Sequence, residues 1–255
     1  MVKVVSKIKK VLLIIVFCAV LALGASTACY TGIEAHAAQP ASGSLTPQQT
    51  QSAWPVHSVQ PLAVDVLLQY PQLPNGCEAT SITMLLQYAG YMVDKTEIAV
   101  LIPSTPLTTV RGILYGGDPQ TSYTGDIFGA GFYCYAQPAA QAANTYLALR
   151  GSALQAVDIT GVTDTQLFAY VADGVPAAVW VTLDYTKPRY CSYSWQVEQT
   201  RKLIDAYANL HCVVLVGYTQ DTVTLADLLQ GMRTVNIEVF LTCFAQMGRR
   251  AVVVL

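Results

Sequence analysis

Leu73-Pro74-Asn75-Gly76-Cys77-Glu78-Ala79-Thr80-Ser81 is the stretch on which the reading of this 255-residue chain turns. Residues 71–76, with Pro71, Pro74, Asn75 and Gly76, read as a loop. Beyond them the pattern becomes helical: Ala79, Ile82, Leu85, Leu86 and Ala89 recur at one-face spacing, Asn75 or a neighbour can cap the start, and Gly90 fits a left-handed stop. Cys77 therefore falls in the first turn of a helix, where unpaired amide dipoles favour a thiolate and lower its pKa. Taken separately, it could equally be a small buried core residue or half of a disulfide.

Working outward, residues 64–68 form a short apolar strand candidate that ends at Gln69. Downstream, a second helix begins at Asp94 with Glu97 completing a capping box, and it ends before Pro103. Residues 103–135 are dense in glycine interleaved with Tyr115, Tyr123, Phe128, Phe132, Tyr133 and Tyr135; such a loop is either a binding wall or the finish of the core beneath it. Helices follow at 139–150 and at 163–173, the latter opened by Thr163 with Gln166 and closed by Gly174. Residues 177–182 and 211–218 are near-continuously apolar strands, and 222–225 alternates as a paired edge strand does. A helix at 237–247 with Gly248 as its stop and a strand at 251–255 complete the chain. Helices first and antiparallel strands later make an α+β pattern.

Hydrophobic residues make up 53% and charged residues 12%, with a net charge of −2, which argues against disorder and against a nucleic-acid partner. Lys3, Lys7, Lys9 and Lys10 precede an apolar run at 11–25, the layout of a signal peptide, and Ala35-His36-Ala37 offers a cleavage pattern. Residues 1–37 are thus expected to be a signal peptide, 38–60 a flexible linker rich in Gln, Ser, Thr, Pro and Ala, and 61–255 one folded domain. An uncleaved anchor at 11–28, or lipid attachment at Cys29, are the competing readings. The expected protein is secreted or on the cell surface, is a monomer, and meets the membrane only through an uncleaved N-terminal segment. Of seven cysteines, those at 77, 134, 191, 212 and 243 lie in the folded part, an odd number, with the last four as bridge candidates. No Cys-x-x-Cys spacing occurs, so neither a metal ion nor a cofactor is expected.

His211 is the only histidine of the folded part, since His36 falls in the export segment and His57 in the linker. Histidine is the side chain whose ordinary titration lies near neutral pH, so a general base here is His211 or nothing, and taken alone the ring could equally be satisfied by a backbone carbonyl at a strand end. A third group must orient the ring. A hairpin of 211–218, a turn at Thr219-Gln220-Asp221 and 222–225 brings Asp227 back towards His211. An oxyanion needs donors, which the Cys77 N–H and the side-chain amide of Gln69 can supply.

The stretch around Cys77 resembles the Cys box of bacterial cysteine peptidases similar to the bacteriocin-processing, double-glycine-leader peptidases, a branch of the papain superfamily. Asp158-Ile159-Thr160-Gly161, Gly174-Val175-Pro176 with Trp180, His211-Cys212-Val213-Val214-Leu215-Val216-Gly217-Tyr218 and Met247-Gly248-Arg249-Arg250-Ala251-Val252-Val253 resemble that family in order, over residues 64–255. His211 follows Cys77 by 134 positions, within the roughly 130 to 150 of papain-like enzymes. The resemblance implies a papain-like fold, with Cys77 as nucleophile, His211 as base, Asp227 as orienting acid, Gln69 as oxyanion donor and a peptide or protein as substrate. The family usually carries Asp-Pro where this chain reads Asp227-Leu228-Leu229-Gln230-Gly231, a departure that removes the proline's rigidity from the turn and bears on the placement of Asp227, read here as drift rather than loss of activity. A non-catalytic binding module on the same frame, at the cell surface, is the alternative function.

Overall fold

The computed structural model describes residues 58–255. The export segment, its cleavage pattern, Cys18, Cys29 and His57 lie outside the described residues. The element order is α1 (Cys77–Tyr88), α2 (Lys95–Leu101), β1 (Ser104–Thr105), β2 (Thr108–Val110), β3 (Ile113–Gly116), β4 (Tyr123–Thr124), α3 (Ala136–Leu149), β5 (Ala156–Asp158), α4 (Asp164–Ala172), β6 (Ala177–Thr182), β7 (Tyr190–Val197), β8 (Leu203–Tyr207), β9 (Leu210–Tyr218), β10 (Thr222–Asp227), β11 (Gly231–Asn236), α5 (Ile237–Gln246) and β12 (Ala251–Val254). Six strands form an antiparallel sheet in the order β11-β10-β9-β6-β12-β5. A smaller sheet, β2-β3-β7-β8, and the β1–β4 pair stand apart from it.

Local signals place the helices. Asp94 caps α2 with Glu97 in a capping box, and Thr163 with Gln166 does the same for α4, each satisfying amides that a helix start leaves unpaired. Gly90, Gly174 and Gly248 take positive φ just past helix ends, as expected. Helix α1 is buried from Cys77 to Leu86 on all sides, packed on β9 and β6 and against α2 and α3. Its hydroxyls are satisfied within that environment: Thr80 Oγ1 donates to Gly76 O, Thr83 Oγ1 to Ala79 O, and Ser81 Oγ to Cys212 O on β9 at 3.1 Å.

The sheet departs from expectation at three places. Residues 64–68 are extended but join no sheet, because β9 already has β6 on one side and β10 on the other. Strand β10 is not an edge: β11 pairs with it along its whole length. Residues 103–135 hold strands rather than a long loop, and β2 and β3 pair with β7 and β8 over a second apolar cluster of Tyr133, Trp195, Val197, Ile204 and Ala206.

The hairpin β9–β10 carries a bulge. Val223 pairs with Tyr218 and Thr224 with Gly217, but Leu225 pairs with Leu215, leaving Val216 out. The segment ahead of the domain repairs that gap: the Leu62 N–H donates to Val216 O at 2.8 Å, and Val59 pairs with Tyr218. Gly217 is required beneath this strap, since a Cβ there would lie 2.9 Å from Pro61 Cα and from Val59 O.

Trp180 on β6 is fully buried, and its indole N–H donates to Cys134 O at 2.9 Å. Trp180→Phe removes that donor from a buried carbonyl and should lower unfolding stability by about 1–3 kcal/mol, read from urea denaturation.

Candidate active site

The bulge decides which face of the sheet Asp227 occupies. Opposed residues in an antiparallel pair point to the same side. With Ala226 opposite Val214, the register carried one residue further sets Asp227 opposite Val213, and Val213 shares its face with His211. Without the extra residue Asp227 would oppose Val214 and face the other way. As built, Asp227 Oδ1 lies 3.1 Å from His211 Nε2, both side chains almost completely buried. Burial works against charge on Asp227, but the His211 hydrogen bond, the Leu229 N–H and Arg233 outweigh it and hold the carboxyl below its ordinary range. A carboxylate only accepts, so Nε2 carries the hydrogen and Nδ1 of the neutral ring is left with the lone pair.

The turn after Asp227 holds without a proline. The Leu229 N–H donates to Asp227 Oδ1 at 2.8 Å and the Gln230 N–H to Asp227 O at 3.3 Å, while Leu228 is fully buried. Leu228 O accepts the backbone N–H of Gln69 at 2.9 Å, which ties the acid's turn to the segment carrying the candidate oxyanion donor. Gln69 is further fixed by Lys95, a buried lysine whose Nζ donates to Leu68 O and to Gln69 O, the latter at 2.9 Å. The Gln69 side-chain amide gives one hydrogen to Pro74 O at 2.9 Å, and its second is available.

Cys77 opens α1 behind Gly76, and no side chain caps this helix start. Asn75 is not the cap; its Nδ2 instead donates to Gly129 O, and the Tyr123 hydroxyl donates to Asn75 O at 3.0 Å. The glycine-rich stretch is thereby clamped two residues from Cys77, and Gly131 fits only because it lacks a Cβ, which would sit 2.6 Å from Tyr123 Cε1. Tyr123 and Tyr133 serve the core, as one of the two readings of this stretch expected, while Phe128 is exposed.

Expectation fails at the sulfur. Burial pushes the Cys77 thiol well above its ordinary pKa, the charge of Glu78 adds to that, and a hydrogen bond from the Cys212 backbone opposes it. The helix N-terminus does not overcome these effects. The thiol donates to Glu78 Oε2 at 3.2 Å, and no hydrogen bond joins it to the His211 ring among the described residues. The sulfur nonetheless lies beside the strand that carries the imidazole, against the backbone of the residue that follows it. All five cysteines of the folded part are free thiols, so the bridges considered for Cys134, Cys191, Cys212 and Cys243 do not form here.

Glu78 is the residue that reading the sequence missed. It is completely buried, its Oε1 accepts the Cys134 N–H at 3.0 Å, and burial raises its pKa from 4.5 to about 7. The signal was present, because Glu78, Ile82, Leu85 and Leu86 share one helical face.

An antiparallel sheet packed on a central helix, a cysteine at that helix's start and an imidazole–carboxylate pair at the start of the neighbouring strand define a papain-like cysteine peptidase fold. Residues 61–252 match the Peptidase_C39 like family, and the chain belongs to that family. It is 33% identical over 201 residues to YvpB of Bacillus subtilis (strain 168), an uncharacterized protein, covering 77% of this chain and 76% of that one. The crystal structure of a C39-like peptidase from Bacillus anthracis superposes with a TM-score of 0.67 at 29% identity, covering 77% of this chain and 98% of the other.

The folded-state pKa of Glu78 lies above its unfolded value, so its contribution to stability is complete below about pH 4.5 and lost as pH rises through about 7. Glu78→Gln should flatten the fall in unfolding free energy across that interval, a difference on the order of a few kcal/mol in urea titrations. Parallel curves for the two proteins would contradict the burial of an ionisable group there.

Proposed function

We propose that this chain is an exported cysteine peptidase that hydrolyses peptide or amide bonds through a thioester on Cys77. The observation that carries the reading is the buried His211–Asp227 pair at 3.1 Å, with Nδ1 free, on the strand that runs beside Cys77. The Cys77 S–H proton passes to Nδ1, and the thiolate attacks the substrate carbonyl. The oxyanion of the tetrahedral intermediate takes the Cys77 N–H and the second hydrogen of the Gln69 amide. His211 returns the proton to the departing amine, and then activates water to cleave the thioester. Asp227 keeps the ring in the required tautomer and offsets the charge of the imidazolium.

The burial of the thiol against Glu78 favours a second reading, a non-catalytic papain-like binding module on the cell surface. Hydrolysis of a fluorogenic peptide library by residues 58–255 separates the two. Cys77→Ala should abolish both turnover and labelling by a thiol-directed peptidase inhibitor. His211→Ala should lower kcat by about 10²–10⁴-fold and Gln69→Ala by about 10²–10³-fold. A wild-type domain that cleaves nothing and takes no label would leave the binding module standing.

Export rests on the charged, apolar and small-residue layout of the N-terminus. Expression in a Gram-positive host should release a protein whose first residue is Ala38; a membrane-bound chain that still begins at Met1 would point to an anchor.

A further inference from the structure

Glu78 occupies a costly position. Its carboxyl accepts the Cys77 thiol on α1 at 3.2 Å and the Cys134 N–H just ahead of α3 at 3.0 Å, and its charge is felt at Cys212 on β9 and Tyr123 on β4. Among the described residues no lysine, arginine or histidine forms an ion pair with it. A carboxylate withdrawn from water with no cation is strongly disfavoured, and among the described residues its Oε2 accepts the thiol of the candidate nucleophile.

Resting on the assignment of Cys77 as nucleophile, we propose that Glu78 is a positioning residue that accepts the Cys77 S–H in the resting protein and yields the sulfur to His211 by rotation about the Cα–Cβ bond. The local geometry suits a two-position thiol. Side chains alternate along β9, so His211 projects from one face and Cys212 from the other, while the backbone N–H of Cys212 lies in the sheet plane between them. Helix α1 meets β9 at Cys212, whose carbonyl accepts Ser81 Oγ, and the Cys77 thiol donates to Glu78 in that environment. On rotation the S–H bond breaks and an N–H bond forms at Nδ1 of His211, leaving a thiolate beside an imidazolium that Asp227 supports. On the Glu78 side the carboxylate charge opposes the thiolate, so the anion forms only where the imidazole can receive its proton.

The test reads the thiol directly. Iodoacetamide alkylation of Cys77 in the full folded protein, located by peptide mass spectrometry, is followed against pH for wild type and Glu78→Gln. The near-isosteric variant removes the charge while keeping an acceptor, so the midpoint should move down by about one pH unit, with about a tenfold faster reaction at pH values well above 7, where the wild-type carboxyl is ionised. A midpoint that stays in place, with only the unfolding temperature altered, would show Glu78 to be structural and overturn the proposal. Should the variant fail to fold, infrared difference spectra of the wild type supply the answer: alkylating Cys77 removes the S–H donor and should shift a carboxyl band, and an unchanged spectrum also overturns it. Neither measurement uses peptide turnover, so its failure is distinguishable from failure of the peptidase reading.

Discussion

One register shift of a single residue between β9 and β10 sets the site. The sheet would pair equally well without it, but the carboxylate would then stand on the face opposite the imidazole. The bulge is stabilised from outside the hairpin, because the carbonyl left unpaired at Val216 accepts the Leu62 N–H and the glycine beside it lets the strap lie flat. Pairing, strap and glycine are therefore one device, and the 3.1 Å contact between His211 and Asp227 is its product.

The two sides of the reaction centre are also mechanically joined. Gln69 hangs from the Leu228 carbonyl in the turn that orients Asp227, and a buried ammonium on α2 holds the carbonyls of Leu68 and Gln69 from the other direction. Burial lowers the pKa of that Lys95 ammonium, against the opposing charge of Asp94. This chain uses a side-chain acceptor, Asp227 Oδ1, to close the turn, and fills the space with Leu228. The rigidity that a proline's fixed φ could give comes here from hydrogen bonding and packing.

What could be read from the sequence was local. Capping boxes at Asp94 and Thr163, glycine stops at 90, 174 and 248, and the apolar runs of β6 and β9 all state their structure within a few residues, and the helices and central strands fall where they were expected. Strands β7, β8 and β11 were invisible because they are half exposed, and β7 in addition takes a distant partner, in the parallel pairing of Tyr115 with Gln196. Of the site, the His211–Asp227 contact could be inferred from hairpin geometry, although the bulge that makes it possible could not. Cys77 was placed correctly on its helix and wrongly in its electrostatics. The amides of the helix start favour a thiolate, but desolvation and the carboxylate next door outweigh them, and burial is a property of the assembled core.

The strap has a mechanical consequence. Because the strap runs from the Val59–Tyr218 pair to the Leu62–Val216 hydrogen bond, tension arriving from the N-terminal side passes through Tyr218 to the bulge, about five residues of strand, or roughly 16 Å, from the imidazole. A domain pulled by its leading end would thus bear load close to the point that keeps its acid in register.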